Sequence, residues 1–228
     1  PAAFLAGLLN AYPMGFYNPA TLVKDAQRHG VEVRPIDVAA SHWKCTLEPG
    51  AGAPAVRIGL RYAAGLRSET GHTIEMERRR GGFESVADLA RRVALRRDEL
   101  DALAEVGALG SIDPASRQRR SALWQVAAVE RDRGSLFSGI SPPAEPSPLE
   151  EMSPLEVTLA DYRISGLTTG PHLLAHLRPR LRRRGILAAE QLRDTPDGRF
   201  VRTAGHAIVR QRPRAAEGFC FLTLEDET

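Results

Sequence analysis

The 228-residue sequence predicts an α+β fold, mainly α. Capped segments with apolar residues three and four apart fill its middle. Strand-like runs occur only near the ends, at 31–38 and 200–224, and a proline-dense stretch at 134–154 separates two blocks. A hydrophobic share of 43% is enough for packed cores. No stretch approaches the ~18 consecutive apolar residues that span a bilayer.

Residues 1–48 read as a small mixed unit. Asn18 is placed to cap a helix whose first residue is Pro19, and Gly30 sits where a left-handed C-terminal cap belongs, so the pattern predicts a helix over 19–29. Leu22, Val23 and Ala26 form its apolar side. Val31, Val33, Ile36 and Val38 then predict a short strand, and Pro35 favours a sheet edge.

From Ala55 to about Arg133, within a 49–133 region, the pattern reads as helical with very short breaks. Ala64-Gly65-Leu66-Arg67 precedes a helix from near Ser68, which Gly81-Gly82 ends. Ser85 with Asp88 three residues on predicts a capping-box start for the next. Leu95-Arg96-Arg97-Asp98 leads into 99–106, where Leu100, Leu103 and Val106 share a face. Asp113-Pro114 reads as the opening of a last helix carrying Leu123, Trp124 and Val126.

Pro142, Pro143, Pro146, Pro148 and Pro154 make 134–154 an extended, semi-rigid linker. A helical connector, 155–198, carries Arg178, Arg180, Arg182, Arg183 and Arg184. Residues 199–228 hold two strands, 200–210 and 219–224, around a turn with Pro213 and Gly218. At least one of Phe219 and Phe221 is expected in a core.

The net charge is only +3, but the pI is about 9.2, and all but Lys24 and Lys44 of the 31 basic residues are arginines. Arginine's planar fork suits phosphate, so a nucleic-acid partner fits, although a GC-rich coding sequence produces the same bias. Cys45 and Cys220 lack C-x-x-C spacing and read as two buried, reduced thiols, as in a cytoplasmic protein. His172 and His176 lie four apart with no third ligand near, which favours capping or exposed roles over a metal. No phosphate-binding glycine loop is present.

Tyr12-Pro13-Met14-Gly15-Phe16-Tyr17, followed by Asn18-Pro19, a helix and Val31–Val38, resembles one stretch of the bacterial C-family DNA polymerases, in particular their error-prone branch. The resemblance continues in order through the whole chain. It implies the end of the fingers, tandem helix-hairpin-helix motifs and the start of an OB-fold. A chain this short then reads as a piece of a longer one, with Pro1 no initiator and Phe219–Leu224 four residues from the end. The parent enzyme would extend a primer with Mg2+ and relaxed fidelity, in damage-tolerant synthesis. Its metal-binding aspartates would precede Pro1, leaving this chain without cofactor or catalytic residue and with DNA as its partner.

Helix-hairpin-helix motifs grip DNA by bringing backbone N–H groups and a helix N-terminus to a phosphate. Their usual pattern is apolar-x-Gly-apolar-Gly. Here Gly65 and Leu66 fit, while Arg67 replaces the second glycine. The second hairpin has no glycine, but Arg96 and Arg97 are placed to meet phosphate. Both also read as plain packing hairpins. Arg182, Arg183 and Arg184 form a candidate phosphate-binding cluster, or alternatively a solvated face. Arg210, Arg212 and Arg214 cluster at the last turn, near the aromatics an OB-fold stacks on bases. Ser135-Leu136-Phe137 resembles the end of a sliding-clamp-binding peptide, with Arg133 in place of the family's glutamine. A stand-alone DNA-binding scaffold is the alternative. A DNA ligase piece is disfavoured because neither Lys24 nor Lys44 lies in a K-x-D-G setting.

Overall fold

The computed structural model describes residues 1–14, 17–132, 147–213 and 218–228. They divide into two compact units, 1–169 and 170–228. The fold is α+β and mainly α, with helices supplying most of the ordered backbone.

The first unit opens with α1 (Ala2–Ala11) and α2 (Pro19–Arg28). Both ends of α2 are fixed as the sequence predicts: Asn18 Oδ1 accepts the Ala20 N–H at 2.9 Å, and Gly30 adopts φ 78° just beyond the C-terminus. Three short strands follow, β1 (Val33–Arg34), β2 (Thr46–Glu48) and β3 (Ala55–Arg57). Their order is β1-β3-β2, with β1 parallel and β2 antiparallel to β3, so the Pro35-terminated strand does lie at an edge. The chain from Ala55 to Arg57 is thus a strand and not the start of a helical region. Ala55 and Val56 are fully buried, and their backbone pairs with partners distant in sequence, which outweighs any local helical pattern in three residues.

Four helices then pack in sequence: α3 (Ser68–Arg80), α4 (Val86–Arg92), α5 (Arg97–Glu105) and α6 (Arg119–Asp132). Ser85 Oγ accepts the Asp88 N–H at 3.1 Å, which supplies one half of the expected capping box. Asp88 does not complete the box, since its carboxylate accepts from the Glu84 N–H instead. Asp113-Pro114 does not open α6. It leads into a separate 3-10 turn, Pro114–Ser116, and the last helix begins at Arg119. One apolar cluster runs from Leu9 and Val23 through Val38, Ile58 and Leu60 to Ile74, Leu103 and Val126, on both sides of residue 48. Helix α7 (Pro154–Ser165) ends the unit. A reciprocal Ser153–Glu156 capping box and Pro154 in the first turn start it, and Gly166 at φ 69° stops it.

The second unit holds α8 (Leu173–Arg183), β4 (Ile186–Leu187), β5 (Arg202–Thr203), β6 (His206–Gln211) and β7 (Phe221–Glu225). The connector read at 155–198 is thus divided, with α7 in one unit and α8 in the other. β4 and β5 pair in parallel, and β6 and β7 antiparallel with an irregularity between Ala207 and Val209. The single strand read at 200–210 is therefore two, separated near Gly205. A Cβ there would lie 2.7 Å from the Leu224 Cβ, so the chain passes β7 too closely for any other residue.

Phe219 is 70% exposed and Phe221 56%, so neither fills a core among the described residues. A two-stranded hairpin is one layer deep, and among the described residues of the unit no second layer covers it. Cys220, between them, is exposed for the same reason, whereas Cys45 is buried as expected. No helix among the described residues is long and apolar enough to cross a membrane.

Candidate nucleic-acid interface

The first hairpin joins a 3-10 turn, Leu60–Tyr62, to α3. Leu66 is buried and pins it to the core, while Ala64 and Gly65 are exposed at its tip. Gly65 has φ 82°, a conformation open to glycine at little cost, and no atom lies within 4 Å of where a Cβ would stand. The tip is thus bare backbone. Arg67, where the motif usually has its second glycine, has φ −70° and ψ 145°, so no glycine is needed.

Arg67 does not face outward alone; it is tied to Glu99. Its Nε and Nη2 donate to the two Glu99 carboxylate oxygens at 2.9 and 2.8 Å, and its backbone N–H donates at 3.0 Å. The other hairpin uses the same carboxylate, through the Arg96 N–H at 2.8 Å. Glu99 is fully buried, so one carboxylate closes the N-terminal ends of both α3 and α5. Burial alone would raise its pKa. Hydrogen bonds from the Arg67 guanidinium and from the Arg96 and Arg67 N–H groups outweigh that and hold it down to about 2.

The second hairpin, between α4 and α5, follows the same design with different residues. Leu95 is buried, and Arg96 and Arg97 are exposed at the start of α5. Arg97 Nε donates to Asp101 at 2.8 Å across one helical turn, an exposed pair that binding to a polyanion can replace at little cost. Glu69 and Asp98 stand in the first turns of α3 and α5 and offset part of the local positive charge.

Other arginines of this unit hold it together. Arg92 reaches the carbonyls of Gly81 and Gly82 and the carboxylates of Glu77 and Asp88, and lies 4.6 Å from the Phe83 ring centroid. Arg119 donates to Asp161 at 2.6 Å and to the Glu105 and Val157 carbonyls, joining α6 to α5 and α7. Glu99 is the functional position the sequence reading missed. A glutamate three residues after a helix N-cap signals a local cap, but its bond to a residue 32 positions earlier has no local signature.

In the second unit Arg178 is buried. It pairs with Asp226 at 3.0 Å and with Glu227, fastening α8 to the end of β7. Arg180, Arg182, Arg183 and Arg184 are exposed, and none has an ion-pair partner among the described residues. Arg210 and Arg212 are likewise exposed near the β6–β7 turn; Arg214 lies outside the described residues, as do Arg133 and Ser135-Leu136-Phe137. His172 caps α8, its Nδ1 accepting the Leu174 N–H at 3.2 Å. Among the described residues no three His, Cys, Asp or Glu side chains converge as metal ligands. Glu99, Asp161 and Asp226 are each committed to arginine, an arrangement that does not fit a two-metal centre.

A family model described as "Helix-hairpin-helix motif" matches residues 30–121, the stretch holding both hairpins. The whole chain aligns at 49% identity with the error-prone DNA polymerase of Azoarcus sp. (strain BH72) and covers 22% of its length. The corresponding protein of Bordetella parapertussis is 47% identical over the whole chain, again 22% of its own length, and that of Anaeromyxobacter dehalogenans (strain 2CP-C) 47%, with 21% covered. The chain is homologous to error-prone DNA polymerases along its entire length. It spans about a fifth of those proteins, and the hairpins lie within the shared segment.

Proposed function

We propose that the chain is the DNA-gripping portion of an error-prone DNA-directed DNA polymerase. It holds duplex DNA by the phosphate backbone, without reading sequence, and positions it for synthesis carried out elsewhere in the parent enzyme. The observation that carries the reading is the pair of exposed hairpin tips locked by Glu99 in a chain homologous throughout to error-prone DNA polymerases. Gly65 offers bare backbone to one phosphate, and Arg96 and Arg97 offer charge at a helix N-terminus to another. Arg182, Arg183 and Arg184, with Arg210 and Arg212, give the second unit exposed positive charge of its own. In this reading the enzyme works in the cytoplasm in damage-tolerant synthesis, its Mg2+ is held by carboxylates outside this chain, and Ser135-Leu136-Phe137 contacts the sliding clamp.

The test is binding of the purified chain to two duplexes of unrelated sequence over a range of salt. The expected result is equal affinity for both, falling steeply with salt as counterions are released. Affinity that differs strongly between them, or that ignores salt, contradicts the proposal. Primer extension with Mg2+ and nucleoside triphosphates should be absent, and incorporation by a contamination-free preparation would show that chemistry resides here after all.

A further inference from the structure

Helix α7 belongs to neither hairpin, yet it ends on the first. The last carbonyls of a helix have no partner within it. One of these in α7, the Ile164 carbonyl, accepts the Ala64 N–H at 3.0 Å, so the helix end is closed by the residue beside Gly65. Several ties hold α7 in place for that contact. Buried Asp161 accepts from the Arg119 guanidinium at 2.6 Å and from the Thr168 hydroxyl at 2.5 Å. Arg119 also donates to the Val157 carbonyl at 3.1 Å, and Leu167, just past the helix, is buried in the apolar cluster.

The hairpin tip is a four-residue turn over 63–66, in which the Leu66 N–H donates to the Ala63 carbonyl at 3.1 Å. Gly65 in its third position has positive φ and Ala64 in its second does not, which makes it type II. Types I and II differ by a turn-over of the peptide unit between those two residues, here the unit that carries the Gly65 N–H. Burial of Ala63 and Leu66 fixes the ends of the turn but not that unit. The bond from Ala64 to Ile164 fixes the peptide immediately before it. The amides of Ala63, Ala64, Leu66 and Arg67 are occupied inside the protein, by Leu60, Ile164, Ala63 and Glu99, and of this stretch the Gly65 N–H alone has no acceptor among the described residues. We propose that α7 is a positioning element for the first hairpin: docked through Asp161, it holds Ala64 so that the Gly65 N–H stays available to a phosphate. Releasing α7 disables that tip, while the second hairpin, held by Val93 on Leu89 and by Arg96 on Glu99, keeps its grip. The inference rests on the reading of the hairpins as phosphate-binding elements and adds a helix outside them that controls one of the two.

The test compares the whole chain with Leu159→Pro, which interrupts α7 at an exposed position, and with Leu159→Ala, which removes the same side chain and keeps the helix. In amide exchange, Leu159→Pro should speed Ala64 and Leu66 by roughly tenfold or more and leave Val93 and Arg96 of the second hairpin unchanged, with Leu103 as the folding control. Leu159→Ala should match the parent. In duplex binding, Leu159→Pro should weaken affinity about tenfold, as for loss of one hydrogen bond to a charged group. The salt slope should not change, because it counts neutralising arginines and a backbone N–H is not one. Adding Gly65→Ala to Leu159→Pro should then cost nothing further, whereas alone it should weaken binding by a similar factor. Should Leu103 lose protection in Leu159→Pro, Asp161→Ala supplies the release without breaking the helix, with the same pattern expected. Unchanged exchange at Ala64 on release of α7 would overturn the proposal, as would equal loss of protection at Arg96 or unchanged affinity in a chain whose tip has loosened. A parent chain that binds no duplex would instead count against the hairpin reading itself, and the exchange measurement would still decide whether α7 holds the turn.

Discussion

The two units use the same residue for opposite purposes. In residues 1–169 many arginines are internal fasteners: Arg67 on Glu99, Arg92 across the α3–α4 turn, Arg119 on Asp161. In residues 170–228 Arg178 alone among the described arginines has ion-pair partners, and Arg180, Arg182, Arg183 and Arg184 are exposed without them. The apolar residues divide similarly. Leu9, Ile58, Leu60, Ile74, Leu89 and Leu103 are fully buried in the first unit, whereas Phe200, Phe219, Phe221, Leu222 and Leu224 are largely exposed in the second. An arginine count therefore measures DNA-binding capacity only after the carboxylates have taken their share. The first unit spends most of that charge on rigidity and leaves a few groups at its hairpin tips; the second leaves nearly all of it outward.

The largest expected effect tests the fastener side. Glu99→Ala removes the shared acceptor and leaves Arg67 and two backbone N–H groups without it. Losing an acceptor shared by three donors should cost about 2 kcal/mol in chemical denaturation of the first unit. Alanine at Arg182, Arg183 and Arg184 should change stability by less than about 0.5 kcal/mol, as for ordinary surface positions. A comparable loss from the triple variant would erase the contrast between the units.

Acid should probe the same bond. Glu99 titrates at about 2 when folded, below its ordinary 4.5, so the folded state favours its charged form. That contribution is complete above pH ~4.5 and is lost as the pH falls toward 2. Denaturation midpoints of the unmodified chain should drop across that window, and Glu99→Gln should flatten the drop. A variant as acid-sensitive as the parent would show that other carboxylates control this range.

Smaller effects are expected for the outward charges. Alanine at Arg182, Arg183 and Arg184 should reduce the logarithmic salt slope of duplex binding by up to about 2.7, if each meets one phosphate. An unchanged slope would remove that cluster from the DNA surface. Smallest in free energy is the protection of β6–β7. With one exposed layer, amides at Cys220 and Leu222 should exchange far faster than those of Leu103 or Leu89, and slow exchange in a dilute monomer would show that the hairpin is complete in itself.

Much of the first unit is legible in sequence because its signals are local. Asn18, Gly30, Gly81 and Ser85 mark helix ends within a few residues, and Leu100, Leu103 and Val106 declare their buried face by spacing alone. What escaped depends on partners far along the chain. Ala55–Arg57 becomes a strand because Val33–Arg34 and Thr46–Glu48 flank it, and Arg178 leaves the arginine cluster because Asp226 and Glu227 return to it. Cys220 and the phenylalanines beside it look like core residues by pattern, but burial requires a facing layer, and a strand's own sequence does not reveal whether one is there.

In the proposed function the hairpins keep Arg67 for themselves and offer Arg96 and Arg97 to DNA. The most direct measurement is the salt dependence of duplex binding by Arg96→Ala/Arg97→Ala and by Arg67→Ala, each well below its unfolding temperature. The double variant should lower the slope by up to about 2 at unchanged stability, while Arg67→Ala should lower stability and leave the slope as it was. A reduced slope for Arg67→Ala with an unchanged one for the double variant would contradict it.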